Sequence, residues 1–147
     1  YQTIIVYPNA DAGGHSMIEE INKYLGHSFI QTHMNLPHEE FLGIMNIASV
    51  MIGNSSSGII EAPSFQLPVV DIGTRQRGRE RAGNVINATY DSENIINAIN
   101  TAMSEKFRNK LQYCKSPYGD GKASERIVKV LSEIDVDKRL IQKKMRN

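Results

Sequence analysis

Met51-Ile-Gly-Asn-Ser-Ser-Ser-Gly-Ile-Ile-Glu-Ala-Pro-Ser-Phe65, followed by Leu67-Pro-Val-Val-Asp-Ile-Gly-Thr-Arg75, is the stretch whose reading decides the fold. Val50–Ile52 is a short apolar run that reads as a buried strand. Gly53–Gly58 is a run of small and hydroxyl residues in which the backbone can turn tightly. Ile59–Phe65 reads as a helix with Glu61 in its first turn. A strand, a small-residue loop and a helix start in succession direct backbone N–H groups and the positive end of a helix dipole at one spot, which favours an anion. The hydroxyls of Ser55, Ser56 and Ser57 can donate to phosphate oxygens. A carboxylate repels phosphate, so Glu61 is better suited to sugar hydroxyls. Phosphate with sugar points to a nucleotide or nucleotide-sugar. Ordinary helix capping by Ser57, with Glu61 favouring the helix start, is the competing explanation, although three serines between glycines exceed what a cap needs.

Outward from this stretch the pattern alternates. Thr3–Tyr7 reads as strand, Gly14–Leu25 as helix, Phe29–Thr32 as strand, and His38–Ala48 as a helix entered through Pro37. Val50–Gly53 is strand, Ile59–Phe65 helix, Val69–Ile72 strand and Asn84–Asn87 strand. Glu93–Met103, Lys106–Gln112, Ser124–Ile134 and Lys138–Met145 read as helices. Such alternation predicts an α/β fold, a doubly wound, Rossmann-like parallel sheet of at least five strands with helices on both faces. In such sheets ligands lie beyond the carboxyl ends of the strands. That edge gathers the loops Pro8–Gly14, Asn35–Pro37, Gly53–Gly58 and Gly73–Arg81, which are expected to line one cleft.

The composition sets limits. A chain of 147 residues is the size of one domain, with 40% hydrophobic and 22% charged residues, ordinary values for a soluble globular protein. Seventeen basic and sixteen acidic residues leave a net charge of +1, which gives no reason to expect nucleic acid or an anionic membrane as partner. Cys114 is the single cysteine. It fits a reducing compartment and reads as a small, partly buried hydrophobe rather than a nucleophile. No apolar run approaches the roughly 18 to 20 residues of a membrane span, and no signal peptide is evident. The chain enters directly on a strand without an initiating methionine, as the middle of a longer protein would.

The loops carry the chemistry. Asn9 can donate and accept at a sugar, and Asp11 can accept from hydroxyls; both can equally cap the next helix. Arg75, Arg77, Arg79 and Arg81 form a basic loop able to neutralise a diphosphate. Their alternation prevents all four from facing the cleft, so some are expected to be solvated. None of His15, His27, His33 and His38 stands at metal-ligand spacing from another His or Cys, so no metal is expected. Gly-x-Gly-x-x-Gly and Walker A motifs are absent, which argues against a dinucleotide or P-loop site.

Four ordered motifs are familiar: Tyr7-Pro-Asn-Ala-Asp-Ala-Gly13, Ile52-Gly-Asn-Ser-Ser-Ser-Gly-Ile-Ile-Glu-Ala-Pro63, Gly73-Thr-Arg-Gln-Arg-Gly-Arg79 and Tyr118-Gly-Asp-Gly-Lys-Ala123. Together, over residues 3 to 132, they resemble the C-terminal part of UDP-N-acetylglucosamine 2-epimerases. The resemblance implies the C-terminal domain of a GT-B fold, with residues 1–134 forming the UDP-binding Rossmann-like domain and residues 135–147 a crossover helix. The Asn54–Gly58 and Gly-Thr-Arg-Gln loops look like those of the hydrolysing branch; the Asp-Ser-Gly-Gly loop and Thr-Glu-Arg-Pro-Glu segment typical of the non-hydrolysing branch are absent. Hydrolysing members eliminate UDP, form a 2-acetamidoglucal and add water, which yields N-acetylmannosamine, a sialic acid precursor. Relatives act on a UDP-2,4-diacetamido-trideoxyhexose. A non-hydrolysing epimerase, a GT-B glycosyltransferase and a non-catalytic nucleotide sensor remain alternatives.

Carried over by position, the resemblance places the diphosphate on Ser55 and Ser56 and the ribose on Glu61. It places the uracil at Leu36 and Pro37, and further ligand contacts at Asn9 and Arg75. The acid/base carboxylates are expected in an N-terminal domain outside these residues, so no catalytic residue is assigned here and the fragment is expected to be inactive alone. The resemblance further implies a UDP-sugar substrate, no cofactor, a cytoplasmic location and a homo-oligomer for the full-length form.

Overall fold

The computed structural model describes residues 1–8 and 13–142, with Arg139 described by its backbone alone. The chain divides at Ala48/Ser49 into two compact units. In the first, β1 (Thr3–Val6) and β2 (Ile30–His33) run parallel, Thr3 opposite Ile30 and Val6 opposite His33. The connection contains α1 (Gly14–Asn22), as a parallel crossover requires. After Pro37, whose ring suits a helix entry, comes α2 (His38–Ile47), with Glu39 and Glu40 in its first turn.

In the second unit β3 (Met51–Gly53), β4 (Val69–Ile72) and β5 (Val85–Ala88) form a parallel sheet in that order. The central strand β4 buries Val69, Val70 and Asp71, the near-continuous burial of a strand covered on both faces. Helix α4 (Ser92–Met103) packs on β4 and β5 through Ala98 and Ala102. Asp91 caps it, its side chain accepting from the Asn94 N–H at 2.9 Å. Helices α5 (Glu105–Leu111), α6 (Ala123–Glu133) and the single turn α7 (Lys138–Ile141) follow.

Two readings are revised, while the α/β class of parallel strands flanked by helices stands. Among the described residues the strands pair as β1–β2 in the first unit and β3–β4–β5 in the second. The helix expected over Ile59–Phe65 is a single turn, α3 (Ser57–Ile60), followed by a 3₁₀ turn over Ala62–Phe65. Pro63 cannot donate to an α-helical ladder, and the turn ends on Gln66 in the left-handed region, φ 52°. Ser57 does not cap α3: Ser56 stands at the N-cap and makes no side-chain capping bond.

The turn α3 lies close to β4 because Gly58 has no side chain. A Cβ there meets Val69 Cγ1 at 2.8 Å, and Val69 is itself buried. Gly58→Ala is therefore expected to destabilise the chain by about 1–3 kcal/mol through overpacking. Urea denaturation measures this, and an unchanged midpoint contradicts the close approach.

Helix α6 buries no residue. Ile127, Val130, Leu131 and Ile134, at i, i+3, i+4 and i+7 on one face, are all exposed. Leu140 and Ile141 are exposed as well, at 51% and 71%. The part of the expected last helix beyond residue 142 lies outside the described residues. No helix is long and apolar enough to cross a membrane among the described residues.

Candidate functional site

The serine loop leaves β3 and the arginine loop leaves β4, so both emerge at the carboxyl ends of adjacent parallel strands. The two loops touch. Gln76 Nε2 donates to the Asn54 carbonyl at 2.7 Å, and Arg75 Nη1 approaches the same oxygen at 3.4 Å. Sequence reasoning expected Ser55, Ser56 and Arg75 to share one edge, and within the second unit this contact brings them together.

The donors of the serine loop are organised by the loop itself. Ser55 Oγ accepts from the Ser57 N–H at 3.3 Å, which leaves its own O–H to donate outward. The Gly58 N–H is occupied by Ser55 O and the Ile59 N–H by Ser56 O. With α3 only one turn long, a helix dipole contributes less than the sequence suggests, so an anion at this loop would depend more on hydroxyl donors. Glu61 sits at the joint between α3 and the 3₁₀ turn, half-buried. Its Oε2 is fully buried and accepts no hydrogen bond among the described residues.

Of the four arginines, Arg75, Arg77 and Arg79 are exposed. Arg81 points neither to solvent nor outward: its Nη2 lies 2.8 Å from Oδ2 of Asp71, which is 1% exposed, and also donates to Gln76 O at 2.8 Å. Arg81 Nη1 donates to Asn87 Oδ1. The expectation that some of these arginines are solvated fits the exposed ones, while Arg81 neutralises a buried carboxylate at the end of β4.

Further residues that sequence reasoning missed complete the frame. Buried Asn84 donates Nδ2 to Leu67 O at 2.9 Å, bracing the start of β4. The Tyr118 hydroxyl donates to Glu80 O at 2.8 Å, so the Tyr-Gly-Asp-Gly motif props the arginine loop. In that motif Arg126 grips Asp120 through both guanidinium nitrogens, at 2.9 and 2.7 Å, and with the Lys122 N–H holds the Asp120 carboxyl below the usual carboxylate range. An alternation pattern carries no signal for these partners. The recurrence of Tyr118–Ala123 as a motif is the one hint available.

Leu36 and Pro37 follow β2 at its carboxyl end in the first unit; Leu36 is half-buried and Pro37 exposed. Asn9 and Asp11 lie outside the described residues. Open depressions of about 780 Å³, lined in part by Pro63, Cys114 and Arg126, and of about 550 Å³, lined in part by Thr74, Arg77 and Tyr90, lie in the second unit. Ser55, Ser56 and Glu61 line neither of these two.

The family model described as UDP-N-acetylglucosamine 2-epimerase matches residues 1–132. The chain belongs to the UDP-N-acetylglucosamine 2-epimerase family. Among relatives of this epimerase family, a Legionella pneumophila protein named UDP-N,N'-diacetylbacillosamine 2-epimerase (hydrolyzing) is 39% identical over 97% of this chain and 37% of its own length. A Neisseria meningitidis UDP-N-acetylglucosamine 2-epimerase is 41% identical over 69% of this chain and 26% of its own. The chain therefore spans about a third of the length of the epimerases it matches. The crystal structure of the Methanocaldococcus jannaschii UDP-GlcNAc 2-epimerase in complex with UDP-GlcNAc and UDP superposes with TM-score 0.68 at 22% identity, over 88% of this chain and 35% of that one. A Neisseria meningitidis UDP-GlcNAc 2-epimerase bound to UDP-GlcNAc superposes with TM-score 0.69 at 20% identity, over 91% of this chain and 37% of that one. At these identities the likeness establishes the fold: parallel strands flanked by helices, as in the GT-B-type epimerases.

Proposed function

We propose that the protein containing this chain is a hydrolysing UDP-N-acetylglucosamine 2-epimerase and that these residues supply its UDP-binding half. The observation that carries the reading is the meeting of the serine and arginine loops at the Asn54 carbonyl. That meeting puts hydroxyl donors and a guanidinium beside one another at the carboxyl ends of β3 and β4. In the proposed reaction a base removes the C2 proton of the sugar, and the C1–O bond breaks with its electron pair leaving on UDP. Water then adds across the resulting C1=C2 bond, hydroxyl to C1 and proton to the opposite face of C2. The chain's part is to bind and stabilise the departing diphosphate, through Ser55, Ser56 and Arg75, as negative charge develops on it. Glu61 takes the ribose hydroxyls, Leu36 and Pro37 the uracil, and Asn9 and Asp11 the sugar side. The base comes from a domain outside these residues. The full-length form is a homo-oligomer.

A second substrate, a UDP-2,4-diacetamido-trideoxyhexose, is favoured by the name of the Legionella relative, whose match extends over nearly the whole chain. Incubating the full-length protein with each UDP-sugar in the absence of an acceptor decides. Release of UDP with the free 2-epimeric sugar is expected, and the faster substrate identifies the C4 substituent. Formation of UDP-N-acetylmannosamine instead establishes the non-hydrolysing reaction. No turnover without an acceptor sinks the epimerase reading in favour of a transferase or sensor.

A further inference from the structure

We propose that Gln76 is a positioning residue for the diphosphate, aiming the first N–H of the serine loop without itself touching ligand; this rests on the reading above that the serine loop holds diphosphate. Gln76 is 3% exposed, so its side chain is not available to a ligand. Its orientation is unambiguous: with Nε2 2.7 Å from a carbonyl oxygen, the flipped amide would set two acceptors against each other. The bond holds the carbonyl of the Asn54–Ser55 peptide. That unit is planar and trans, so fixing its C=O toward Gln76 turns the Ser55 N–H the opposite way. Arg75 Nη1 is the second donor to the same oxygen.

Gln76 is held in its turn. Its carbonyl accepts from Arg81 Nη2, and Arg81 is anchored by Asp71 on the central strand. The order of support therefore runs Asp71, Arg81, Gln76, Asn54, Ser55: from the end of the most buried strand to the expected anion donors. Gln76 Oε1 is buried and accepts no hydrogen bond among the described residues. Retaining an amide whose oxygen goes unused fits a position where the donor is what matters.

Two variants test this: Gln76→Met, similar in length but without a donor, and Gln76→Glu. UDP, inorganic pyrophosphate and uridine are titrated by calorimetry into the full-length protein containing this chain, with urea unfolding alongside. Gln76→Met is expected to weaken UDP and pyrophosphate about tenfold, the loss of one well-aligned donor, and to leave uridine unchanged. Gln76→Glu is expected to be worse than Met at pH 8, where a carboxylate faces the Asn54 carbonyl. As the pH falls to 5 its affinity relative to wild type at the same pH should recover, because the protonated carboxyl can donate again. A purely structural residue has no reason to follow that profile. Wild-type UDP binding with undiminished binding by Gln76→Met overturns this proposal alone, as does equal weakening of uridine. Should Gln76→Met fail to fold, a Gln76→Glu ratio flat with pH overturns it. Wild-type protein that binds neither UDP nor pyrophosphate removes the reading of the loop, and this proposal with it.

Discussion

Arg81→Met is expected to lower the stability of the chain by about 3–5 kcal/mol, the cost of stranding a buried charge whose partner has been removed. Asp71 is 1% exposed in the middle of the three-stranded sheet and has Arg81 Nη2 2.8 Å from its Oδ2. Truncating the guanidinium also removes donors to Gln76 O and Asn87 Oδ1, so the arginine loop loses its inner attachment. Against a typical total of about 5–15 kcal/mol, such a loss is severe. The double substitution Asp71→Asn with Arg81→Met is expected to recover much of it, since replacing both members of a buried pair is far milder than removing one. Urea denaturation of wild type and the three variants closes the cycle. A single-variant loss below about 1 kcal/mol, the range of exposed ion pairs, contradicts the role given to Arg81.

Glu61→Ala is expected to weaken UDP about a hundredfold while leaving inorganic pyrophosphate nearly unaffected. Glu61 is half-buried at the joint between α3 and the 3₁₀ turn, and a ribose diol offers two hydroxyl donors to a carboxylate. Hydrogen bonds to charged groups contribute about 1.5–3 kcal/mol each, and about 1.4 kcal/mol corresponds to tenfold in affinity. The preference for UDP over 2'-deoxy-UDP should shrink in the same variant, because the carboxylate that distinguishes them is gone. The free chain should unfold no more easily. Equal weakening of UDP and pyrophosphate would place Glu61 on the phosphates and refute the ribose assignment.

The parts of this molecule that were legible in the sequence share a physical cause. Alternation of short apolar runs with amphipathic segments reports burial on two faces, and β4, with Val69, Val70 and Asp71 all buried, is its clearest case. The loops were legible because small, hydroxyl and basic residues cluster where the backbone turns. What escaped depends on tertiary partners. Nothing local says that Arg81 turns inward while Arg75, Arg77 and Arg79 stay exposed, because the difference lies in Asp71, ten positions upstream on a strand. Gln76 was invisible for the same reason: its value comes from a carbonyl in the preceding loop. The shortened α3 was readable in principle, since Pro63 already forbids a continuous helix through Phe65.

Parallel strands need a crossover of about a dozen residues, normally a helix. Between β4 and β5 that connection is made by residues 73–84, which contain turns and bends but no helix. The segment that joins two neighbouring strands is therefore the same segment that carries Arg75 and Gln76. Strand pairing and loop order become linked quantities. A ligand that orders the arginine loop also restrains the ends of β4 and β5, and by thermodynamic linkage it stabilises the ladder by RT ln(1 + [L]/Kd), about 2.7 kcal/mol at a hundredfold excess over Kd. Conversely, opening of the β4–β5 ladder releases the loop and discharges the ligand, so the apparent Kd is the intrinsic one divided by the fraction of molecules in which this strand pair is closed.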